Sequence, residues 1–152
     1  MMTKNSNTLR ALYQEVIIDH GRHPRNFGTL PEATHILEGY NPLCGDKLTL
    51  FLYINQNKIE KAMFGGTGCA ISIASASLML QQVLGKSIQE VQQLFQYFHA
   101  MVVDKHEPDA CLGKLAIFEG VKEYPARVKC ATLAWHAMLN AIEGKNAVAV
   151  TE

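Results

Sequence analysis

No stretch of this chain is apolar over the roughly 18 to 20 residues needed to cross a bilayer, and the opening Met1-Met2-Thr3-Lys4-Asn5-Ser6-Asn7 lacks the hydrophobic core of a secretory signal. A cytoplasmic protein is expected. Net charge is missing too: 14 acidic and 14 basic side chains cancel, leaving no electrostatic footprint for nucleic acid or anionic lipid. The expected partners are proteins or small ions. There is no internal repeat and no low-complexity tract. The glycine run Gly65-Gly66-Thr67-Gly68 has neither the Gly-Lys-Ser/Thr ending of a phosphate loop nor the third glycine of a dinucleotide loop, which argues against nucleotide binding.

What is present is a set of four cysteines in 152 residues, a length that suits one domain over residues 1–152 with an ordered core from about 8 to 144. A chain of this size folds without disulfides, so thiols in a reducing compartment point to metal binding or redox chemistry. Cys69 follows the glycine run, read as a flexible segment, and opens an apolar helix. Unpaired N–H groups and a partial positive charge at a helix N-terminus favour the thiolate form of a sulfur placed there. Cys44 lies in the loop Asn41-Pro42-Leu43-Cys44-Gly45-Asp46, and Cys130 is expected in the first turn of a helix after Pro125.

The apolar positions Leu9, Leu12, Tyr13, Val16 and Ile17 predict a helix starting at the N-cap Thr8 and ending near His20-Gly21. Arg22 to Gly28 reads as an ordered loop. A first strand is expected near Thr34 to Gly39. From Asp46, Leu48, Leu50, Leu52 and Ile54 alternate with Lys47, Thr49, Phe51 and Tyr53, the period of a strand, and Asn55-Gln56-Asn57 turns the chain into a further strand at Ile59 to Phe64. Ala70 to Leu84 reads as a close-packed helix stopped by Gly85. Ser87 and Glu90 form a capping box for the next helix, whose face carries Ile88, Val91, Leu94, Phe95 and Phe98. Asp104 to Pro125 is a mixed connector. A last helix covers about Ala126 to Ile142, and the first six and last few residues are expected to fray. The order implies an α+β fold, a small antiparallel three-stranded sheet with helices packed on one face.

Cys44 and Asp46 can face one ion if the chain curls between them, which Gly45 permits. With Cys69 and Cys130 they would complete a tetrahedral shell for zinc. The separations, about 25 and then about 60 residues, exceed those of zinc fingers. Spacing alone therefore leaves open a second reading, in which the cysteines are small core residues and Asp46 merely opens a strand.

The motifs themselves carry a resemblance. Leu12-Tyr13 with Ile18-Asp19-His20, then Pro24-Arg25-Asn26, Asn41-Pro42-Leu43-Cys44-Gly45-Asp46, Gly66-Thr67-Gly68-Cys69-Ala70-Ile71-Ser72 and Arg127-Val128-Lys129-Cys130-Ala131-Thr132-Leu133-Ala134-Trp135 together resemble the SufU/IscU/NifU N-terminal family over about residues 8–144. Lys129, where IscU-type members have histidine, and the insertion ending at Tyr124-Pro125 resemble the SufU branch. The resemblance implies an IscU-like fold, with Cys44, Asp46, Cys69 and Cys130 holding zinc or a nascent iron-sulfur cluster, and a SufS/IscS-like cysteine desulfurase as partner. In the SufU branch Cys44 would be the sulfur acceptor, released from zinc as a desulfurase histidine takes its place, and Arg127 would orient the docked partner. The same ligands would serve a scaffold that assembles a transient [2Fe-2S] cluster and passes it to apo iron-sulfur proteins. A zinc site that only holds the fold is a third possibility. The resemblance thus leaves open whether the chain is a sulfurtransferase or a non-enzymatic scaffold, and whether a separate scaffold receives its sulfur.

Other residues have plainer readings. His20, His23, His35, His99, His106 and His136 read as ordinary histidines, Trp135 as core, and Lys129 as either solvated or hydrogen-bonded to a ligand sulfur. A Cys-His hydrolase would need a histidine positioned as base, which sequence cannot show, and three competing cysteines argue against it. Cys111 lies in the insertion as an unpartnered thiol with no role implied by the resemblance.

Overall fold

The computed structural model describes residues 2–151, with side chains from residue 10 onward. Its elements run α1 (Met2–Arg22), β1 (His35–Asn41), β2 (Asp46–Asn55), β3 (Lys58–Thr67), α2 (Ala70–Val83), α3 (Ile88–Val102), a 3-10 segment (Ala110–Glu123), α4 (Pro125–Ile142) and β4 (Ala149–Val150). The architecture is α+β. α1 begins at Met2, ahead of the start expected at Thr8 and through a segment expected to fray. Thr8 therefore lies within the helix and is not its N-cap; the side chains of Thr8 and Leu9 are outside those described.

Alternation along β2 decides which groups are buried. Leu48, Leu50 and Leu52 point inward and are fully buried, while Lys47 points to solvent. Asp46 is in phase with those leucines, so the same periodicity that builds the core carries its carboxylate to the inner face. β1 behaves alike, with Leu37, Gly39 and Asn41 inward. Antiparallel register sets Leu37 against Leu50, Gly39 against Leu48 and Asn41 against Asp46. Two buried polar side chains therefore face each other at the end of an otherwise apolar sheet face.

The sheet has four strands in the order β3-β2-β1-β4, not the three expected, and it is mixed. β4 pairs parallel with β1, setting Ala149 beside Gly39 and Val150 beside Tyr40, and the Thr151 amide donates to the Tyr40 carbonyl at 3.1 Å. Two residues are too few to show a period, so only the partner strand defines them. The fraying expected of the last residues is corrected accordingly, and Ala149 joins the core. A second correction concerns the glycine run: Gly65, Gly66 and Thr67 belong to β3, opposite Thr49, Leu48 and Lys47, and are a strand end instead of a flexible loop.

Small residues let the helices approach closely. Ala74, Ser75, Ala76 and Ser77 of α2 are all buried, and the Ser75 hydroxyl donates to the Ala131 carbonyl of α4 at 2.6 Å. α4 lies over β1, where a Cβ on Gly39 would come within 3.1 Å of Leu133. That contact brings the start of α4 over the Asn41 end of the sheet. The core is completed by Trp135 stacked on Phe98, ring centroids 4.9 Å apart, with Phe118 edge-on to Phe98. The capping box of Ser87 and Glu90 opens α3. In the connector, the 3-10 segment breaks at Gly113, φ 53°, just after the buried Leu112; beyond the break Leu115, Phe118 and Val121 are buried. Their spacing of three is the repeat of a 3-10 helix, which neither the α nor the β period detects.

Candidate metal centre

The β1–β2 turn is closed from inside. The Gly45 amide donates to the Asn41 carbonyl at 2.9 Å, and Gly45 adopts φ 73°, a left-handed angle that glycine takes without strain. Beneath the turn the Asn41 amide Nδ2 donates to Asp46 Oδ2 at 3.0 Å. Cys44 rides at the exposed tip.

Cys69 is the N-cap of α2, with φ −71° and ψ 166°, and its Sγ accepts from the Ser72 amide at 3.4 Å. A cysteine at the mouth of this apolar helix is where its motif predicts it. Its own amide donates to Asp46 Oδ1 at 2.8 Å. A Cβ on Gly68 would run into the Ser72 hydroxyl and the same carboxylate oxygen, so the close approach of chain to carboxylate requires glycine there. Cys130 differs from expectation. Pro125 is the first residue of α4, which puts Cys130 in the second turn and buries it; no helix-terminus effect acts on its sulfur. It reaches the centre because α4 is pressed onto β1.

The result is a compact cluster. One ligand atom each from Cys44, Asp46 and Cys130 lie within 4.8 Å of one another. The Cys130 and Cys44 sulfurs are 3.3 Å apart, and Asn41 Nδ2 is 3.4 Å from the Cys130 sulfur. Cys69 borders this trio: its amide bonds Asp46, and its sulfur both caps α2 and lies beside the Cys130 thiol. Burial pushes the Cys130 thiol far above the usual range, helped by hydrogen bonding with the Cys44 and Cys69 sulfurs. Asp46 is fully buried, and no salt bridge among the described residues reaches it. A buried carboxylate beside three thiols, with no cationic side chain to balance it, is an arrangement that favours a bound cation.

The model of the NifU-like N terminal domain matches residues 12–143, nearly the whole chain and all four of these residues. The chain belongs to the NifU-like N-terminal domain family. It is 41% identical over 138 residues to the zinc-dependent sulfurtransferase SufU of Bacillus subtilis, covering 90% of this chain and 92% of that protein. It is 39% identical to the iron-sulfur cluster assembly scaffold protein IscU of Streptococcus pyogenes, covering 89% and 85% respectively. The crystal structure of FiSufU from Fervidobacterium islandicum AW-1 superposes with a TM-score of 0.81 at 36% identity, covering 84% of this chain and 94% of that one. The IscU/NifU-like fold is thereby shown.

Within this NifU-like domain the remaining candidate residues fall outside the cluster. Arg127 is exposed on the first turn of α4, its guanidinium 4.5 Å from the Tyr124 ring centroid. His20 is buried, its Nδ1 2.7 Å from the Ser77 hydroxyl, and burial holds its imidazole below the usual range. His136 meets the Phe95 ring edge-on. Trp135 is core. Cys111 sits at the start of the 3-10 segment, its thiol pushed up to about 11, first by partial burial and then by Asp109. The residue that sequence reading missed is Asn41. Its signal was its phase with Leu37 and its position across the turn from Asp46, and both depend on knowing the register.

Proposed function

We propose that this chain works in iron-sulfur cluster biogenesis as a zinc-dependent sulfur acceptor, with Cys44 taking persulfide sulfur from a cysteine desulfurase. The observation that carries the reading is a contrast inside one cluster: Cys44 is exposed at a turn tip while its neighbour Cys130, 3.3 Å away, is buried. A sulfur acceptor must be reachable by another protein's cysteine, and a fixed metal donor need not be. Cys44, Asp46, Cys69 and Cys130 are the proposed holders of zinc; sulfur and carboxylate donors suit that ion, and the uncompensated burial of Asp46 gives it a place. When bound, zinc would keep cysteine sulfur as thiolate near neutral pH.

The transfer is a thiol exchange. The Cys44 thiolate attacks the outer sulfur of the partner's persulfide, a new S–S bond forms, and the old one breaks with its electron pair leaving on the partner's cysteine thiolate. Arg127, exposed beside Tyr124, is the proposed residue that orients the docked desulfurase. The sulfur then passes to a separate scaffold or an apo iron-sulfur protein. We take residues 1–152 as one working domain in the reducing cytoplasm, consistent with four free thiols; no described helix is long and apolar enough to cross a membrane.

Desulfurase turnover, measured with and without this protein alongside zinc content, tests the reading. The expected result is about one zinc per chain and a stimulation that Cys44→Ala abolishes. Full stimulation by that variant would move the acceptor elsewhere. The second reading, a scaffold carrying a transient [2Fe-2S] cluster, draws on the likeness to the Streptococcus pyogenes protein. Reconstitution with iron and sulfide into a stable, transferable cluster would favour it.

A further inference from the structure

We propose that Asn41 is a positioning residue for this centre: its side-chain amide holds Asp46 and Cys130 as a fixed pair, a restraint that Cys44 lacks. The inference rests on the metal reading above and deepens it, by assigning what makes the three thiols unequal.

Asn41 is fully buried at the end of β1. An amide nitrogen carries two N–H donors, and here one nitrogen lies 3.0 Å from Asp46 Oδ2 and 3.4 Å from the Cys130 sulfur. The orientation follows from chemistry, since the flipped amide would aim its oxygen at a carboxylate and a sulfur, both electron-rich. Asn41 Oδ1, by contrast, is buried without a partner. An unsatisfied buried acceptor is unfavourable, so the placement of this amide is explained by its donors.

Cys69 completes the restraint from the other side, its amide donating to Asp46 Oδ1, so both carboxylate oxygens are held by N–H groups. Hydrogen bonds from neighbours fix the direction of metal-binding side chains and strengthen with the charge of the acceptor. Cys44 receives no such bond from Asn41; its described side-chain partner is the Cys130 sulfur. Backbone geometry points the same way. Asn41 and Asp46 are the closing pair of the β1–β2 ladder, and the Thr151 amide bonds to the adjacent Tyr40 carbonyl, so Asn41 sits on clamped backbone while Cys44 is on the turn outside it. Few other side chains fit this role. Serine is too short to span both acceptors, leucine matches the size without the donors, and aspartate would set a second carboxylate against Asp46.

The test compares full-length parent, Asn41→Leu and Asn41→Ser. Zinc affinity is measured by competition with a chromophoric chelator, the visible spectrum is recorded with Co2+ in place of zinc, and the melting temperature of the metal-free proteins is recorded. The expected result is zinc binding weakened about 10- to 100-fold, with a shifted Co2+ spectrum, while the metal-free melting temperatures stay close to the parent's. Affinity within twofold of the parent in either folded variant would overturn the inference and leave the functional reading intact. Metal-free variants that both fail to fold, or an unchanged Co2+ spectrum with lowered melting temperatures, would show that Asn41 serves the fold alone and overturn it equally. A parent that binds no zinc would remove the functional reading itself.

Discussion

β2 is flanked by two turns that are fastened in different ways. At the far end, Gln56 and Asn57 turn the chain into β3 with φ of 51° and 64°, and α3 fastens that turn from outside. The Ile88 amide donates to the Asn57 carbonyl at 3.0 Å, and Asn57 Nδ2 donates to Gln89 Oε1 at 2.6 Å. At the near end, the main fastening is internal: Asn41 and Asp46 bond beneath the turn, and the described contact from another element to its tip is the Cys130 sulfur of α4 on Cys44. A turn tied by a neighbour gains rigidity and has no free group to offer. One tied from below keeps its base fixed and presents Cys44 to solvent. The two ends of one strand thus differ: a two-residue loop fastened by α3 at one, and at the other a four-residue loop that leaves a cysteine exposed.

The comparison can be broken most severely at the near turn. Asp46→Ala removes the carboxylate on which the Asn41 and Cys69 donors converge, and zinc retention measured by chelator competition should fall by at least about tenfold. Retention unchanged would mean that the near turn is not a metal-binding base. In the metal-free parent, iodoacetamide should label Cys44 at least about tenfold faster than Cys130, because only the first is reachable. Equal labelling, read by peptide mass spectrometry, would erase the contrast of exposures.

The far turn predicts the opposite pattern. Asn57→Ala loses a hydrogen bond to α3 and should cost about 1 kcal/mol in denaturant unfolding, with zinc content and desulfurase stimulation unaltered. A loss of stimulation would couple the two ends. His20 offers a milder test through pH. Its folded value is depressed by burial, so the unfolded chain takes up the proton first; the contribution is fully present above about pH 6.5 and is lost as pH falls through the lower folded value. His20→Gln should flatten that part of the stability curve. Cys111→Ser, in the 3-10 segment outside both turns, should shift stability by no more than about 0.5 kcal/mol and leave stimulation within twofold.

Legibility followed the length of the pattern. β2 was readable because alternation over Asp46 to Ile54 leaves one arrangement, and α3 because Ser87 and Glu90 announce its start. The capping position of Cys69 could be read from the glycines before it and the apolar helix after it. β4 and the 3-10 segment could not be read in that way. Two residues carry no period, and the spacing of three from Leu115 to Val121, after the break at Gly113, lies between the two periods by which strands and helices are recognised.

The sequence by itself determined which residue types were available and where: thiols at 44, 69 and 130, a carboxylate in phase with a buried strand face, and a glycine able to curl the turn between them. Only the tertiary structure decided their inequality. The packing of α4 on β1 buries Cys130, the α2 cap half-buries Cys69, and the β1–β2 register sets Asn41 under Asp46, leaving Cys44 exposed. Exposure and hydrogen bonding between residues far apart in the chain depend on how helices and sheet close on one another, and no local pattern encodes that distance.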